Sequence, residues 1–265
     1  MRITLFTCNQ PRHMSLIHTL AEVADELFVV QETKTSFAGK REAVHPKSDV
    51  MEAYFARVMA AERQVFDAPA FSPGNAQSMA LFMGDLSFFP LETFGPALDA
   101  DVFMVFGASY IRGDLADYLV EKRCVNIHMG VSPYYRGSAC NFWALYDGRP
   151  ELVGATIHIL SKGLDSGPIL FHAMPRPGEI DGFLLGMQAV RAAHVALAER
   201  IRDGSVLQLD SVPQDRGLEL RYTRSRDFTD DVAREYLDRL LEPKDIHAVL
   251  DKPRTDFPLK DAVFV

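Results

Sequence analysis

Apolar residues along the chain recur with two different periods, one typical of strands and the other of helices. Short runs rich in β-branched and aromatic residues alternate with longer segments in which apolar residues return every three or four positions. This alternation predicts a doubly wound α/β fold, with a mostly parallel sheet covered by helices on both faces. The predicted strands are residues 2–7, 27–31, 101–107, 123–128, 153–160 and 167–175, and the predicted helices are residues 14–27, 49–66, 112–123, 182–204 and 230–242.

The last long helix indicates where the main domain ends. Its apolar pattern stops at Gly204, and glycine often terminates helices. We therefore expect one large domain over residues 1–204, in which strands 153–160 and 167–175 form an antiparallel pair. Residues 205–265 contain one clear helix and a tail punctuated by proline, which is too little for an independent fold. They predict a small C-terminal extension of helix and loop.

Composition narrows the class of protein. Hydrophobic residues make up 48% and charged residues 24% of the 265 residues, as in a globular protein. No apolar run approaches the roughly 18 residues of a membrane span, and the N-terminus lacks a secretory pattern, so a cytoplasmic location without membrane contact is expected. The net charge of -8 disfavours a nucleic-acid partner, although the basic segment 34–47, with Lys40 and Arg41, is a candidate phosphate site.

Sequence motifs give no indication of a bound metal or of a phosphate fingerprint. Three cysteines without a C-x-x-C pair predict neither a disulfide framework nor a zinc site. His158 and His172 stand in alternating strands and are interpreted as structural histidines rather than ligands, so no metal is expected. Neither G-x-G-x-x-G nor the P-loop motif occurs, and the predicted sheet is therefore doubly wound without either fingerprint.

The segment with the clearest chemistry is "VNIHMGVSPYYRG", residues 125–137. Asn126 and His128 stand two positions apart on a predicted strand, so both side chains project to one face at the carboxyl edge of the sheet. An isolated N-x-H is more often structural, with the asparagine in a turn and the histidine in the core. Here, however, "FWALYDG", "GATIH" and "GLDSGPI" follow in one order with short gaps.

Together these motifs resemble the signature of the folate-dependent formyltransferases, a family whose members act on methionyl-tRNA, glycinamide ribonucleotide or nucleotide sugars. The resemblance covers about residues 1–204, and residues 124–170 carry nearly all of its specificity. It implies a Rossmann-like formyltransferase fold and N10-formyltetrahydrofolate as the co-substrate. It also implies that Asn126, His128 and Asp165 are the catalytic residues.

The implied trio suits formyl transfer on chemical grounds. A primary amine attacking a formyl carbon creates an oxyanion, which needs hydrogen-bond donors fixed in advance. Asn126 can supply an amide N–H and a protonated His128 a charged donor, while Asp165 can hold the imidazolium and accept or relay the proton of the amine through water. Departures from the family pattern at residues 130–133 and at Cys140 concern the shape of the pocket and leave the identity of the acceptor open.

Candidate binding residues surround the trio. By the same resemblance, the co-substrate is expected to contact Phe106, Gly107, Ala108, Ser109, Tyr110, Ile111, Leu160 and Gly163. Candidate acceptor residues come from three places: the start of the first helix, the basic segment, and the R-G pair at residues 136 and 137. At the start of the helix, main-chain amides could hold a phosphate. The residues are Gln10, Arg12, His13, Lys40, Arg41 and Arg136. Plain helix capping, a solvated run of charges and a structural arginine are the open alternatives for these three places.

The expected function is N-formylation of a primary amine on a nucleotide-activated amino sugar, in surface-polysaccharide biosynthesis of the lipopolysaccharide O-antigen type. Residues 205–265 are too short for the C-terminal β-barrel that accompanies transfer to tRNA in the family, and they are compatible with a homodimer. The alternatives are a formyltetrahydrofolate hydrolase and a formyltransferase for glycinamide ribonucleotide, a peptide or methionyl-tRNA. A catalytically idle folate- or nucleotide-binding module is a further alternative.

Overall fold

Ten strands and seven α-helices follow one another within residues 1–35, 47–68, 70–252 and 256–265, the part of the chain that the computed structural model describes. The strands are β1 Arg2–Thr7, β2 Glu26–Thr33, β3 Ala76–Phe82, β4 Val102–Phe106, β5 Val125–His128, β6 Tyr135–Gly137, β7 Ala155–Ile159, β8 Ile169–Met174, β9 Arg221–Thr223 and β10 Val263–Phe264. The helices are α1 Pro11–Ala21, α2 Asp49–Phe66, α3 Gly113–Glu121, α4 Cys140–Tyr146, α5 Gly182–Arg202, α6 Asp230–Asp238 and α7 Pro243–Leu250. No helix in these ranges is both long enough and apolar enough to span a lipid bilayer.

Eight of the strands form one sheet, in the order β10-β8-β7-β5-β4-β1-β2-β3. Its neighbours are parallel except that β7 runs antiparallel to both β5 and β8. The chain winds outward from β1 to β3 on one side and resumes at β4 on the other, which opens a crevice at the carboxyl ends of β1 and β4. The predicted doubly wound fold and its antiparallel pair are confirmed.

Helices cover both faces of the sheet. α1 and α5 lie on one face, with Leu5 and Leu197 in the shared core, and α3 lies on the other, with Phe103 and Leu119 in a second core. A third core, which contains Trp143, joins α2 and α4 to α6 and α7. Because both faces are covered, the polar residues of the central strands can meet a ligand only at the strand ends.

The described residues after position 204 join both sheets. β10 pairs with β8 at the edge of the large sheet, and β9 pairs with β6 in a second sheet of two strands. α6 begins after Thr229, whose side-chain oxygen accepts a hydrogen bond from the amide of Val232. These residues are therefore integrated with the rest of the fold, and the division at 204 into a domain and an extension stays a prediction.

Candidate active site

The carboxyl ends of β4 and β5 border a cavity of about 300 Å³. One wall is the loop at residues 106–111, which begins at the last residue of β4, and the opposite wall combines the end of β5 with the loop between β7 and β8. Every residue predicted to contact the co-substrate lines this cavity, and so do Asn126, His128 and Asp165. Predicted residues from three separate stretches of sequence thus converge on one cavity.

Four polar side chains on the second wall form what we call the Asp165 cluster: Asn126, His128, His158 and Asp165. Asn126 and His158 stand opposite each other on β5 and β7, and Nδ2 of Asn126 lies 2.9 Å from Nε2 of His158. Oδ2 of Asp165 lies 3.3 Å from Nδ1 of His128, and Oδ1 accepts a hydrogen bond of 3.3 Å from Nδ2 of Asn126. One carboxylate therefore contacts both of the other predicted catalytic residues.

The hydrogen bonds of His158 indicate which of its ring nitrogens carries the proton. Nδ1 lies 2.9 Å from the carbonyl oxygen of Ile159, which can only accept, so Nδ1 donates and Nε2 accepts from Asn126. Both hydrogens of Asn126 Nδ2 are then engaged, one by His158 and one by Asp165. The expected role of Asn126 as an oxyanion donor does not fit these contacts, which leave its Oδ1 as the atom for a substrate. Both ring nitrogens of His158 are satisfied, as expected of a structural histidine, and the residue also lines the cavity.

His128 and Asp165 determine each other's charge. Burial favours a neutral imidazole, but the carboxylate of Asp165 and, after it, the thiol of Cys140 together outweigh this effect and raise the pKa of His128 well above its ordinary value. Burial likewise favours a neutral carboxyl, but the imidazolium of His128 holds the pKa of Asp165 well below its usual range. Nε2 of His128 is buried without a hydrogen-bond partner among the described residues. It is a charged donor that a substrate oxygen can use.

The loop after His128 is held against this wall. Thr156, which stands opposite His128 on β7, donates to the carbonyl of Gly130 at 2.6 Å and accepts from the amide of Ser132 at 2.8 Å. A Cβ at Gly130 would lie 2.3 Å from Cβ of Cys140 and 2.9 Å from Nε2 of His128, so only glycine allows this approach. Two departures from the family pattern, at residues 130 and 140, therefore lie directly beside His128.

The first wall is anchored by Glu32, a residue that the sequence analysis missed. Its side chain lies fully buried on β2. The carboxylate accepts hydrogen bonds from the amide of Gly84 at 2.7 Å and from the amide and hydroxyl of Ser109 at 2.6 and 2.8 Å. Three donors thus compensate one buried carboxylate and fix the predicted co-substrate loop at Ser109. Across the cavity, the hydroxyl of Tyr110 donates to the carbonyl of Lys162 and links the two walls.

A second group of polar side chains lies near the end of β1, and we call Gln10, His13 and His194 the buried-histidine cluster. Both imidazoles pack against Phe106, with ring centroids 4.8 and 5.5 Å away. Oε1 of Gln10, Nδ1 of His13 and both ring nitrogens of His194 are buried without hydrogen-bond partners among the described residues. Burial lowers the pKa of His13 well below its ordinary value and that of His194 to about 3. Both rings are therefore neutral.

The predicted acceptor residues at the start of α1 do not line the cavity. Gln10, Arg12 and His13 are absent from its walls, although a Cβ at Gly107 would lie 2.3 Å from Nε2 of His13, so this ring supports the co-substrate loop from behind. The guanidinium of Arg12 pairs with the buried carboxylate of Glu62 at 2.6 Å. Their assignment to the acceptor stays a prediction.

Among the remaining predicted acceptor residues, the one that the structure describes, Arg136, does not line the cavity either. The guanidinium of Arg136 is buried and pairs with Glu219 at 2.8 Å, so it ties the R-G motif to residues that follow position 204. Lys40 and Arg41 lie outside the described residues. Within the described ranges, no group of three His, Cys, Asp or Glu side chains is placed to hold a metal ion.

Comparison with known protein families finds matches in the central part of the chain. Residues 96–176 match the family model described as "Formyl transferase", and this segment contains Asn126, His128 and Asp165. A methionyl-tRNA formyltransferase from Synechococcus sp. is 32% identical over 120 residues, which cover 45% of this chain and 37% of that protein. The chain spans well under half the length of the curated relatives it matches.

Two solved structures share the fold across most of the chain. A 4-N formyltransferase from Francisella tularensis is 14% identical with a TM-score of 0.54, and the match covers 99% of this chain and 91% of that one. An N-formyltransferase from Helicobacter canadensis, in complex with folinic acid and dTDP-3-aminofucose, is 11% identical with a TM-score of 0.51 over 89% and 79%. The fold is therefore the formyltransferase fold. The resemblance to the folate-dependent formyltransferases, predicted from the sequence, is confirmed over residues 96–176.

Proposed function

We propose that this protein is an N-formyltransferase that moves the formyl group of N10-formyltetrahydrofolate to a primary amine, that of a nucleotide-linked amino sugar. The observation that carries the proposal is the convergence of Asn126, His128 and Asp165 on one wall of a cavity whose other wall is the loop at residues 106–111. A module that only binds folate has no need of a charged donor held ready beside the ligand. Group transfer does, because the donor stabilises charge that develops during the reaction.

The cavity suits a flat heterocycle with polar edges. Ile111, Leu160 and Leu164 give it apolar surface, and the Asp165 cluster supplies a few polar atoms at one end, the combination typical of cofactor sites. Gly107, with φ of 68°, lets the loop pack closely on His13 on the side away from the cavity, which holds this wall in place for a bound ring. The pterin of the co-substrate would lie in this part of the cavity, with its formyl group toward His128.

In the proposed reaction, the nitrogen of the amine attacks the formyl carbon and the formyl oxygen becomes negative. The Nε2–H of the protonated His128 stabilises that oxygen, and the carboxylate of Asp165 keeps the imidazole charged. Oδ1 of Asn126 accepts an N–H of the amine and orients the nitrogen for attack. The bond between the formyl carbon and N10 then breaks. N10 takes the proton that the amine loses, relayed through water beside Asp165, and the formamide and tetrahydrofolate leave.

The phosphates of the acceptor would bind near the end of β1. The carboxamide of Asn9 ties this loop to β2, donating to the carbonyl of Lys34 at 3.0 Å and accepting from its amide at 3.1 Å. Burial and the nearby charge of Arg12 lower the pKa of Lys34, so an anion placed beside these cations would be stabilised. The dTDP-linked amino sugar in the Helicobacter canadensis structure supports an acceptor of this class.

A single assay tests the proposal. The protein is incubated with N10-formyltetrahydrofolate and, separately, with dTDP- and UDP-linked amino sugars, glycinamide ribonucleotide, methionyl-tRNA or no acceptor. Release of tetrahydrofolate is followed by absorbance and the acceptor by mass spectrometry. We expect a formylated amino-sugar nucleotide from the wild type and little from the His128→Gln variant. Release without an acceptor would identify a hydrolase instead, and a product only with methionyl-tRNA would replace the acceptor class. Failure to bind folate would overturn the proposal.

A further inference from the structure

The loop that carries Asp165 has a strained backbone. Asp165 has φ of 44°, in the left-handed region that residues other than glycine rarely adopt. Such a conformation persists only where neighbouring contacts hold it. Gly167 shows how tightly the loop returns to β7, because an added Cβ would lie 1.7 Å from the carbonyl oxygen of Ile159. The position of the carboxylate therefore depends on what fixes this short turn.

One side chain from a distant part of the sequence binds this turn. Nε2 of Gln214 donates to the carbonyl oxygen of Asp165 at 2.9 Å and to that of Gly167 at 2.8 Å. Two residues earlier, the main chain of Val212 exchanges hydrogen bonds of 2.7 and 2.9 Å with that of Ile169, which fixes the register between the two segments. Both hydrogens of the Gln214 amide are thus used on the loop.

We infer that Gln214 is a positioning residue for Asp165: its amide holds the left-handed turn from which the carboxylate reaches His128 and Asn126. The catalytic meaning of this inference rests on the proposed function, but its physical step can be measured without any turnover. Gln214 lies beyond position 204, so the C-terminal residues contribute to the geometry of the site as well as to the sheets.

The charge of His128 reports whether the turn is held. Three titratable groups face this imidazole: Asp165 from the loop, the thiol of Cys140 from α4, and the ring of His158 at 6.4 Å between centroids. Of these, Asp165 is the group that Gln214 contacts. If the turn relaxes, the carboxylate moves away and the pKa of His128 falls. A role of Gln214 in stability alone would leave that pKa in place.

The test compares Gln214→Ala with Gln208→Ala, the same substitution at an exposed position of the same segment. Histidine labelled with ¹⁵N is titrated by NMR, with the signal of His128 assigned from the His128→Gln variant. We expect the pKa of His128 to fall by about 1 unit in Gln214→Ala, because it loses part of a charge partner, and to stay in place in Gln208→Ala. We expect kcat to fall by about 10- to 100-fold, since a displacement of about 1 Å costs that much, with the KM of the acceptor little changed.

Gln214→Met keeps the length of the side chain without its donors, and it replaces Gln214→Ala if that variant does not fold. An unchanged titration of His128 in a folded variant would overturn the inference. A shifted titration in a protein that formylates no acceptor would support the positioning role and reject the proposed function, so the two failures are distinct.

Discussion

Two groups of buried histidines lie near the same edge of the sheet and carry opposite charge states. His128 is 7% exposed, and His13 and His194 are each 2% exposed, so burial is similar in the two groups. In the Asp165 cluster, a carboxylate 3.3 Å from His128 raises its pKa. Burial lowers the pKa values of His13 and His194, and the charged groups that act on them among the described residues, which are cations or other histidines, lower them further. The partner, rather than the burial, decides the charge.

Under the proposed function, this difference separates a cluster that acts on the substrate from a cluster that packs behind the co-substrate loop. A buried imidazolium whose Nε2 has no hydrogen-bond partner among the described residues can donate to an oxygen that a substrate brings. Neutral histidines against Phe106 instead support the loop that forms the opposite wall of the cavity. Substitutions in the Asp165 cluster are therefore expected to change kcat, whereas substitutions in the buried-histidine cluster are expected to change the free energy of unfolding.

The largest effect is expected for His128→Gln. The new amide can still donate to Asp165, but no charged donor faces the substrate, so kcat should fall by about 10²- to 10³-fold, or about 2.7–4 kcal/mol of transition-state stabilisation. His172→Gln is the matched control, because His172 is a buried histidine bonded on both nitrogens to main chain, to the carbonyl of Ser132 and the amide of Lys260. It should lower the melting temperature and keep most of kcat. A His128→Gln variant with nearly wild-type kcat would contradict the assignment.

Asp165→Asn should convert His128 toward the state of His13 and His194. Without the carboxylate, burial dominates and the pKa of His128 falls, so the charged form survives only at lower pH. Activity near neutrality should drop by about 10²-fold and recover in part as the pH falls. Asp147→Asn, which removes a carboxylate paired with Arg221 outside the cavity, is the control and should leave the pH profile in place. If the pH–rate profiles of Asp165→Asn and the wild type coincided, Asp165 would have a role only in the structure of its turn.

The polar atoms that face the cavity could be predicted only in part from the sequence. The two-residue spacing of Asn126 and His128 places both side chains on one face of β5, whatever the rest of the fold does. Asp165 follows from "GLDSGPI", one of the motifs on which the family resemblance rests. His158 could not be assigned, because its partnership with Asn126 depends on the register between β5 and β7, which tertiary packing sets. The signal was present in "GATIH", where Thr156 and His158 also share a face.

The fold was predicted best where both faces of an element are buried. β3 was missed because it lies at the edge of the sheet, and four of its seven residues are exposed, so its pattern is weak. α1 begins at Pro11 and ends at Ala21, several residues earlier than predicted, because β2 already starts at Glu26. Glu32 was missed for another reason: nothing in its local sequence indicates that Ser109, far along the chain, will donate to it.

A smaller effect, on the affinity for folate, is expected from Glu32→Gln. This variant compares Glu32, a buried carboxylate bonded to neutral donors, with Asp165, a carboxylate that contacts a histidine. The amide can accept at only one of its two terminal atoms, so a donor at Gly84 or Ser109 loses its partner and the co-substrate loop loosens. A hydrogen bond to a charged group contributes about 1.5–3 kcal/mol. If loss of one such bond lowers the free energy of folate binding by about half of this amount, the Kd for folate rises by about tenfold. Calorimetry with folinic acid measures it, with Glu26→Gln on the same strand as the control. An unchanged Kd would leave Glu32 with a role in stability only.

The smallest effect, and the sharpest contrast between the clusters, is expected for His194→Leu. Leucine is close in volume to histidine and removes two buried nitrogens that have no partner in the described part of the chain, so the free energy of unfolding should rise by about 1 kcal/mol with kcat unchanged. The gain should depend on pH. His194 has a pKa of about 3 in the folded protein, and about 6.5 is expected in the unfolded chain.

Between these two values the unfolded chain binds more protons, so wild-type stability declines as the pH falls, and the variant should decline less. Urea unfolding should therefore give a larger gain at about pH 5 than at about pH 7. The pKa of His128 is raised in the folded state, so its contribution to stability is full below the unfolded value and is lost as the pH rises through the folded one. His128→Gln should consequently cost more stability at low pH than at high pH. If His128→Gln and His194→Leu changed the free energy of unfolding with the same dependence on pH, the assignment of opposite charge states to the two clusters would be wrong.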